Sequence, residues 1–450
     1  MAGGSSSVQN SFIKNMSWIL IGNIIHAVCS FLINILLARL LTTNDNGLIN
    51  YASSWIAFYN AIAIFGINSV INKYTTDDVN ASNSFLSTAI VFRLLSGVIG
   101  CALVIGTVVY VNPSEKDVLM VSAIQSLAIV FAAGDTLVYW FRFKKEANIV
   151  AGLRMIAFFC SAIVKIFALI VARNIYIYTA GVVLESLLFS ILLVMKYRKA
   201  YVSHVVFKTD TLKQLLSSSY PFVFSAILAT IYGQTDKVML KNMMNNDAVA
   251  YYSVAVTLAG LMSIVTAAII EGFRPEIIAE KNKGNTELYK RRLRQVYCVI
   301  FWLCILYGCF VTVFSKYIIL ILYGEKYLPA QPALALIVWY TSFSYFGTIN
   351  NIYMVAEGKE KWVQVTTLVG ALVNVALNFL LIPKSGIQGA ALASLLTQFL
   401  ANFVTPACVP SLRPINKYIL QGVCFSDVHA DLVMKEIIQN TKGSDPGKKK

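Results

Sequence analysis

Five ionisable side chains stand inside long hydrophobic runs, where no water would solvate them: His26, Arg93, Asp135, Lys165 and Glu185. An ionised group at the centre of a bilayer costs roughly 2.5–3.5 kcal/mol on insertion scales, so a chain that keeps several either uses them or pairs them. Their types allow two kinds of chemistry. Arg and Lys hold anions, Arg through a planar bidentate fork and Lys as a point charge. Buried carboxylates, and a histidine whose reference pKa is near neutral, pass protons or hold cations. Asp236 and Glu271 lie nearer the ends of their runs, Asp236 beside Lys237 and Glu271 three residues before Arg274, where it reads as a surface i,i+3 pair. Pairing alone also stays open. Arg93 and Asp135 lie at similar depths from the same end of adjacent runs, and Lys165 and Glu185 on consecutive ones.

Such residues need elements that hold them away from water. Of 450 residues, 57% are hydrophobic and 13% charged, against roughly 25% charged in average soluble domains. So few charges cannot cover a water-facing surface, whereas lipid asks for none. Apolar runs near 16–41, 47–72, 83–111, 117–141, 150–172, 175–196, 215–240, 249–271, 296–322, 331–356, 363–383 and 387–410 each reach the roughly 20 residues of a span, which predicts an all-α integral membrane protein of about twelve transmembrane helices. A β-barrel would show alternating strands of about ten residues instead. The segment 1–15 is short and polar, and the first run is too long for a signal-peptide core, so it is expected to stay as the first helix.

The net charge of +15 is distributed in short clusters between the apolar runs, which points to orientation signals and anionic lipid rather than nucleic acid. With both termini cytoplasmic, the outer connections hold only Arg39, Lys116, Arg173, Lys237, Lys241, Lys316, Lys326 and Lys384. Nearly all other Lys and Arg fall inside, with Arg142, Lys144, Lys145 and Arg154 assigned to one cytoplasmic connection. The outer connections are too short for a catalytic domain, which argues against an enzyme. The eight Cys are scattered without a CxxC pair and read as packing residues; the three His have no ligand spacing, so neither metal nor cofactor is expected.

The organisation expected is a cytoplasmic tail 1–14, a six-helix bundle 15–200, a cytoplasmic linker 201–213, a second six-helix bundle 214–410 and a disordered cytoplasmic tail 411–450. An even number of spans per half makes the repeat parallel. LLARLLTTNDNGLINYA (36–52) and DKVMLKNMMNNDAVAYYSVA (236–255) match faintly, each with an Asn/Asp turn followed by Tyr and small residues.

Four segments carry a family resemblance: KNMSWILIGNIIHAVCSFLINILLARLLTTNDNGLINYA (14–52), SSSYPFVFSAIL (217–228), GQTDKVML (233–240) and IPKSGIQGAALASLLTQF (382–399). With them the chain resembles the polysaccharide-transporter branch of the multidrug/oligosaccharidyl-lipid/polysaccharide flippase superfamily, bacterial O-antigen flippases in particular. The resemblance implies two six-helix bundles forming a V around a central cavity, with alternating access, in the bacterial inner membrane. It implies transfer of undecaprenyl-diphosphate-linked O-antigen units from the cytoplasmic to the periplasmic leaflet, coupled to proton or sodium, with the lipid bilayer and polysaccharide polymerase machinery as partners. A polyprenyl-diphosphate-linked oligosaccharide has an anionic linkage, so Arg93, Lys165 and His26 are the expected substrate-binding residues. Asp135, Glu185 and Asp236 are the expected ion-coupling residues, Asp236 gaining from the resemblance. Two alternatives stay open: a cation-coupled multidrug or small-cation antiporter of the same superfamily, and a membrane polysaccharide polymerase or glycosyltransferase. Trp18, Trp55, Tyr59, Tyr220 and Tyr232 suit either stacking on sugar rings or the membrane interface. Pro221 reads either as a bend or as a helix-start proline. Gly386, Gly389, Ala390, Ala391 and Ala393 form a smooth face for close helix packing.

Overall fold

A computed structural model of the chain describes residue 22, residues 24–201 and residues 204–423, and contains no strand among them. In chain order the helices are α1 Ile24–Leu40, α2 Thr43–Ile64, α3 Ile67–Tyr74, α4 Val79–Val111, α5 Lys116–Phe131, α6 Leu137–Phe143, α7 Ala147–Phe167 and α8 Ile175–Ala200. They continue with α9 Thr209–Met243, α10 Asn246–Ala259, α11 Ser263–Asn282, α12 Thr286–Leu322, α13 Gln331–Ala356, α14 Glu360–Phe399, α15 Thr405–Cys408 and α16 Pro414–Val423. The N-terminal tail and the start of the first expected span, with Trp18, lie outside the described residues.

Nine stretches among the described residues are long and apolar enough to cross a membrane. Three more complete the twelve. α1 and α13 are two of them, and the third comes from a reversal inside α14. There the backbone leaves helical geometry at Gly386 (φ 56°, ψ −131°). Asn374 donates to Ser394 at 3.5 Å, although a straight helix would hold residues twenty apart about 30 Å from one another. A Cβ on Gly389 would lie 2.2 Å from the Leu381 carbonyl oxygen, so this hairpin requires glycine. The sequence PKSG therefore acts as a turn between two spans, as expected.

Packing divides the chain into two compact units: one up to Ser253 together with Leu322–Tyr327, the other Val254–Ile321 and the chain from Leu328. The first unit extends past the 201–213 connection because α9 packs along α2, α3 and α4. Its core joins Ile67, Ile71, Leu86, Leu137, Trp140, Phe141 and Leu193. The run 47–72 is not one continuous helix. Phe65 and Gly66 adopt positive φ (50° and 66°) and separate α2 from α3. Pro221 lies well inside α9 rather than at its start, where it removes an intrahelical hydrogen bond.

The two matching Asn/Asp turns meet within this first unit. Thr42 caps α2, its hydroxyl accepting from the Asp45 amide at 3.1 Å while Asp45 accepts from the Thr42 amide at 3.3 Å. Asn245 caps α10, accepting from the Ala248 amide at 2.9 Å. Thr43, the first residue of α2, donates to Asp247, the second of α10, at 2.5 Å. Asn246, the first of α10, donates to Asn44, the second of α2, at 2.8 Å. First-to-second contact in both directions is what a two-fold relation between like elements produces. A Cβ on Gly47 would fall 1.8 Å from the Asn246 carbonyl oxygen. Lys326 caps the end of α1, donating to the carbonyls of Leu41 (2.6 Å) and Arg39 (3.1 Å).

The second unit packs around Ile277, Tyr289, Leu293, Tyr297 and Ile349. Its last described element overturns the expectation of disorder from Ser411. Leu412, Ile415 and Ile419 recur at helical spacing and are buried, and Gly422 brings α16 against the Arg294 carbonyl, 2.9 Å from where a Cβ would stand. This helix is too short for a span, so its apolar stripe is hidden in the polar composition of the tail.

Beyond the end of α13, Lys281 donates to Glu357 at 2.6 Å. Burial raises the Glu357 carboxyl, but the Lys281 hydrogen bond and nearby ammonium charge outweigh it, and the group sits below its usual range. A carboxylate depressed in this way adds stability that is present above the unfolded value, about 4.3, and is lost as pH falls through the folded one. Glu357→Gln should therefore cost about 1 kcal/mol at pH 7. In thermal melts of the detergent-purified protein, its gap from wild type should close as pH drops below the carboxylate range. Gly47→Val should lower stability by about 1–3 kcal/mol through overpacking, whereas Gly106→Ala, with nothing within 4 Å of the new methyl, should not; equal melting of both would refute the turn contact.

Candidate functional site, a charged cavity in the first unit

Glu185 on α8 is the centre of the site. Lys165 Nζ donates to its Oε2 at 2.7 Å, and the Ser161 hydroxyl donates to the same oxygen at 3.1 Å. His26 on α1 places Nε2 3.2 Å from Oε1. Arg154, Phe158, Ser161 and Lys165 follow one another at intervals of four, three and four residues, so they share one face of α7. Lys165 is 7% exposed. Its stem fits because α8 offers Gly181 opposite it, where a Cβ would stand 3.0 Å from Lys165 Cγ. The His26 and Phe158 rings lie 4.4 Å apart. One turn beyond Lys165 the helix loosens into a π segment, Ala168–Ala172, a distortion frequent at functional sites.

A second break aims Asp135. Between α5 and α6 the chain forms a 3-10 turn, Ala132–Thr136. The Gly134 amide donates to Ser190 Oγ on α8 at 3.0 Å, and a Cβ on Gly134 would lie 2.0 Å from that oxygen. Glycine thus lets the turn lie directly on α8. Arg93, 4% exposed, donates from Nη1 to Thr136 Oγ1 at 3.0 Å. Arg93 and Asp135 feel each other's charge. Among the described residues, however, the two form no direct ion pair, whereas His26–Glu185, Lys144–Asp77, Lys165–Glu185 and Lys241–Glu115 do. Of the two couples that the sequence allowed, Lys165 with Glu185 forms a direct pair, and Arg93 meets the neighbour of Asp135 instead.

His26, Asp135 and Glu185 converge on one cavity of about 240 Å³, completed by Arg154, Ser186 and Phe189. Lys165 borders it through Glu185, and Arg93 stands behind the Thr136 turn. Asp236 is not among the lining residues; it lies on α9, where the Tyr252 hydroxyl of α10 donates to it. Arg154 and Ser161 escaped the sequence reading. Arg154 was assigned to a cytoplasmic connection, but α7 begins at Ala147, which places it two turns inside the helix. The signal was available: it lies on the α7 stripe that leads to Lys165. Chemically, the cavity offers a guanidinium to an anion and two carboxylates with an imidazole to protons.

Removing one member of a buried ion pair strands the other, at about 3–5 kcal/mol. Lys165→Met and Glu185→Gln should each lower stability by that order, and the double variant should lose less than the sum. A double-mutant cycle of unfolding measures this, and strict additivity would refute the pair.

A family model described as polysaccharide biosynthesis protein matches residues 12–273, more than half of the chain, and the MatE model matches residues 221–380. A capsular polysaccharide biosynthesis protein, CapF of Staphylococcus aureus, is 23% identical over 404 residues, covering 86% of this chain and 97% of its own. A membrane protein of Methanocaldococcus jannaschii, MJ1068, is 23% identical over 429 residues, covering 88% and 83%. The solved structure of the lipid II flippase MurJ in an inward closed conformation matches with a TM-score of 0.69 at 14% identity, covering 90% of this chain and 91% of its own. An inward-facing multidrug resistance MATE family transporter matches with a TM-score of 0.68 at 13% identity, covering 86% and 96%. The solved structures share the fold of this multi-pass helical membrane protein. The chain belongs to the polysaccharide biosynthesis protein family, the polysaccharide branch of the multidrug/oligosaccharidyl-lipid/polysaccharide flippase superfamily.

Proposed function

We propose that this protein is a flippase that carries lipid-linked polysaccharide units, undecaprenyl-diphosphate-linked O-antigen repeats in particular, from the cytoplasmic to the periplasmic leaflet of a bacterial inner membrane. The observation that carries this reading is the charged cavity around Glu185, inside a unit built of membrane-length helices. A polar head needs such a lining to leave water, while its prenyl tail stays in lipid. Support comes from the family match, and from relatives whose names place one in capsular polysaccharide biosynthesis and another in lipid II flipping.

In this reading both termini are cytoplasmic and the cycle is one of alternating access. Arg93, Lys165 and His26 form the cationic side of the substrate path. Asp135, Glu185 and Asp236 carry the coupling proton or sodium. Polysaccharide polymerase machinery receives the product, and the protein performs no covalent chemistry itself.

The test is purified protein in proteoliposomes with a labelled polyprenyl-diphosphate oligosaccharide, scored for exposure on the opposite leaflet with and without a pH gradient. Protein-dependent exposure is expected. No exposure, together with efflux of a small organic cation, would replace this reading with the antiporter suggested by the MATE likeness. Asp135→Asn should reduce gradient-stimulated exposure about tenfold or more, the scale of one lost charged interaction. Unchanged gradient dependence at normal protein level would remove Asp135 from the coupling set.

A further inference from the structure

Three cations stand in or against the cavity region, and two of them are committed. Lys165 holds Glu185 at 2.7 Å. Arg93 is buried on the Thr136 hydroxyl. Arg154 is different. It lines the cavity, it is exposed, and among the described residues it makes no hydrogen bond or ion pair. Its guanidinium carbon lies 4.7 Å from the centroid of the Phe189 ring, and Asp135 attracts it across the cavity.

We propose that Arg154, held over the Phe189 ring, is the residue that receives the phosphate group of the lipid-linked substrate. This rests on the flippase reading. A guanidinium seated on an aromatic face keeps its in-plane N–H donors free, and that planar fork matches phosphate bidentately. The cavity, at about 240 Å³, holds roughly eight waters at about 30 Å³ each, enough for a phosphate with part of its hydration. Arg154 lies seven residues from the start of α7, about 10 Å along the helix, a depth a head group reaches soon after leaving the interface. Of the two carboxylates, Glu185 is already balanced by Lys165 and faces His26. Asp135 has no such hydrogen-bonded cation; it lies within the charge of both Arg93 and Arg154 and acts as the stand-in counter-ion that an arriving phosphate displaces. Neutralising Asp135 should therefore tighten substrate binding, while neutralising Arg154 weakens it.

The experiment uses the full chain in nanodiscs of phosphatidylcholine, titrated with undecaprenyl diphosphate, undecaprenol and phosphatidylglycerol and read by native mass spectrometry. Wild type should bind the diphosphate at least tenfold tighter than either other lipid. Arg154→Gln should lose about 10- to 100-fold of that preference, the range of hydrogen bonds to a charged group. Arg154→Lys should fall between, and Asp135→Asn should gain. Undecaprenol binding, expected unchanged throughout, reports folding; if Arg154→Gln fails that control, Arg154→Lys carries the comparison. Full preference retained in both Arg154 variants would overturn the assignment and leave the flippase reading standing. A wild type without preference for the diphosphate over undecaprenol would overturn both. Equal, Arg154-dependent capture of phosphatidylglycerol would make this a phospholipid head-group site and overturn the proposal.

Discussion

Hydrocarbon solvates neither an ionised side chain nor an unpaired peptide group, and the architecture of this protein follows from that constraint. Peptide groups are satisfied by folding nearly everything described into helices. Side chains are satisfied by drawing polar groups from different helices onto shared partners. Glu185 shows how far this goes. One oxygen takes the Lys165 ammonium and the Ser161 hydroxyl, and the other faces His26. Three helices, α1, α7 and α8, are thereby held around one carboxylate. An ion pair of this kind is weak as a source of stability but strong as a specification, because any rearrangement that separates its members strands a charge.

Breaks in regular helix do the aiming. A 3-10 turn at Ala132–Thr136 presents Thr136 to Arg93 and Asp135 to the cavity, and Gly134 permits it by lying flat on Ser190. Gly181 makes room for the Lys165 stem, and the π segment after Lys165 shifts the phase of the rest of the span. Each irregularity is stabilised where it occurs by a close contact that only glycine admits, or by a hydrogen bond. The site therefore depends on small residues as much as on charged ones.

A similar economy governs the two Asn/Asp turns. Each caps its own helix with a side chain, and each then bonds the other reciprocally, with Gly47 allowing the backbones to touch. The faint internal match thus has a physical meaning: like turns that face each other about a two-fold relation keep like chemistry on both sides. A parallel repeat is what brings two such turns to the same membrane surface.

Much of this was legible in the sequence. Apolar runs of membrane length predict the spans, including the turn at PKSG and the spans α1 and α13, because hydrophobic length depends on composition alone. The pairing of Lys165 with Glu185 was one of two couples the sequence allowed; the depth argument offered Arg93 with Asp135 equally, and the structure joins only the first directly. Arg154 was not recognised, although its stripe with Phe158, Ser161 and Lys165 was present, because a basic residue near a helix end looks the same whether it orients the protein or lines a cavity. The polar partners Thr136 and Ser161 and the enabling glycines Gly134 and Gly181 carry no signal of their own, since their roles exist only relative to a neighbouring helix. The helix at the start of the C-terminal tail was hidden for the same reason: a ten-residue helix with two buried isoleucines means little until a surface is there to bury them. The sequence by itself determined that this chain crosses a membrane many times and keeps charge within it. Only the tertiary structure decided which charges share a cavity and which neutralise one another, because those outcomes turn on ångström distances between helices that hydropathy does not encode.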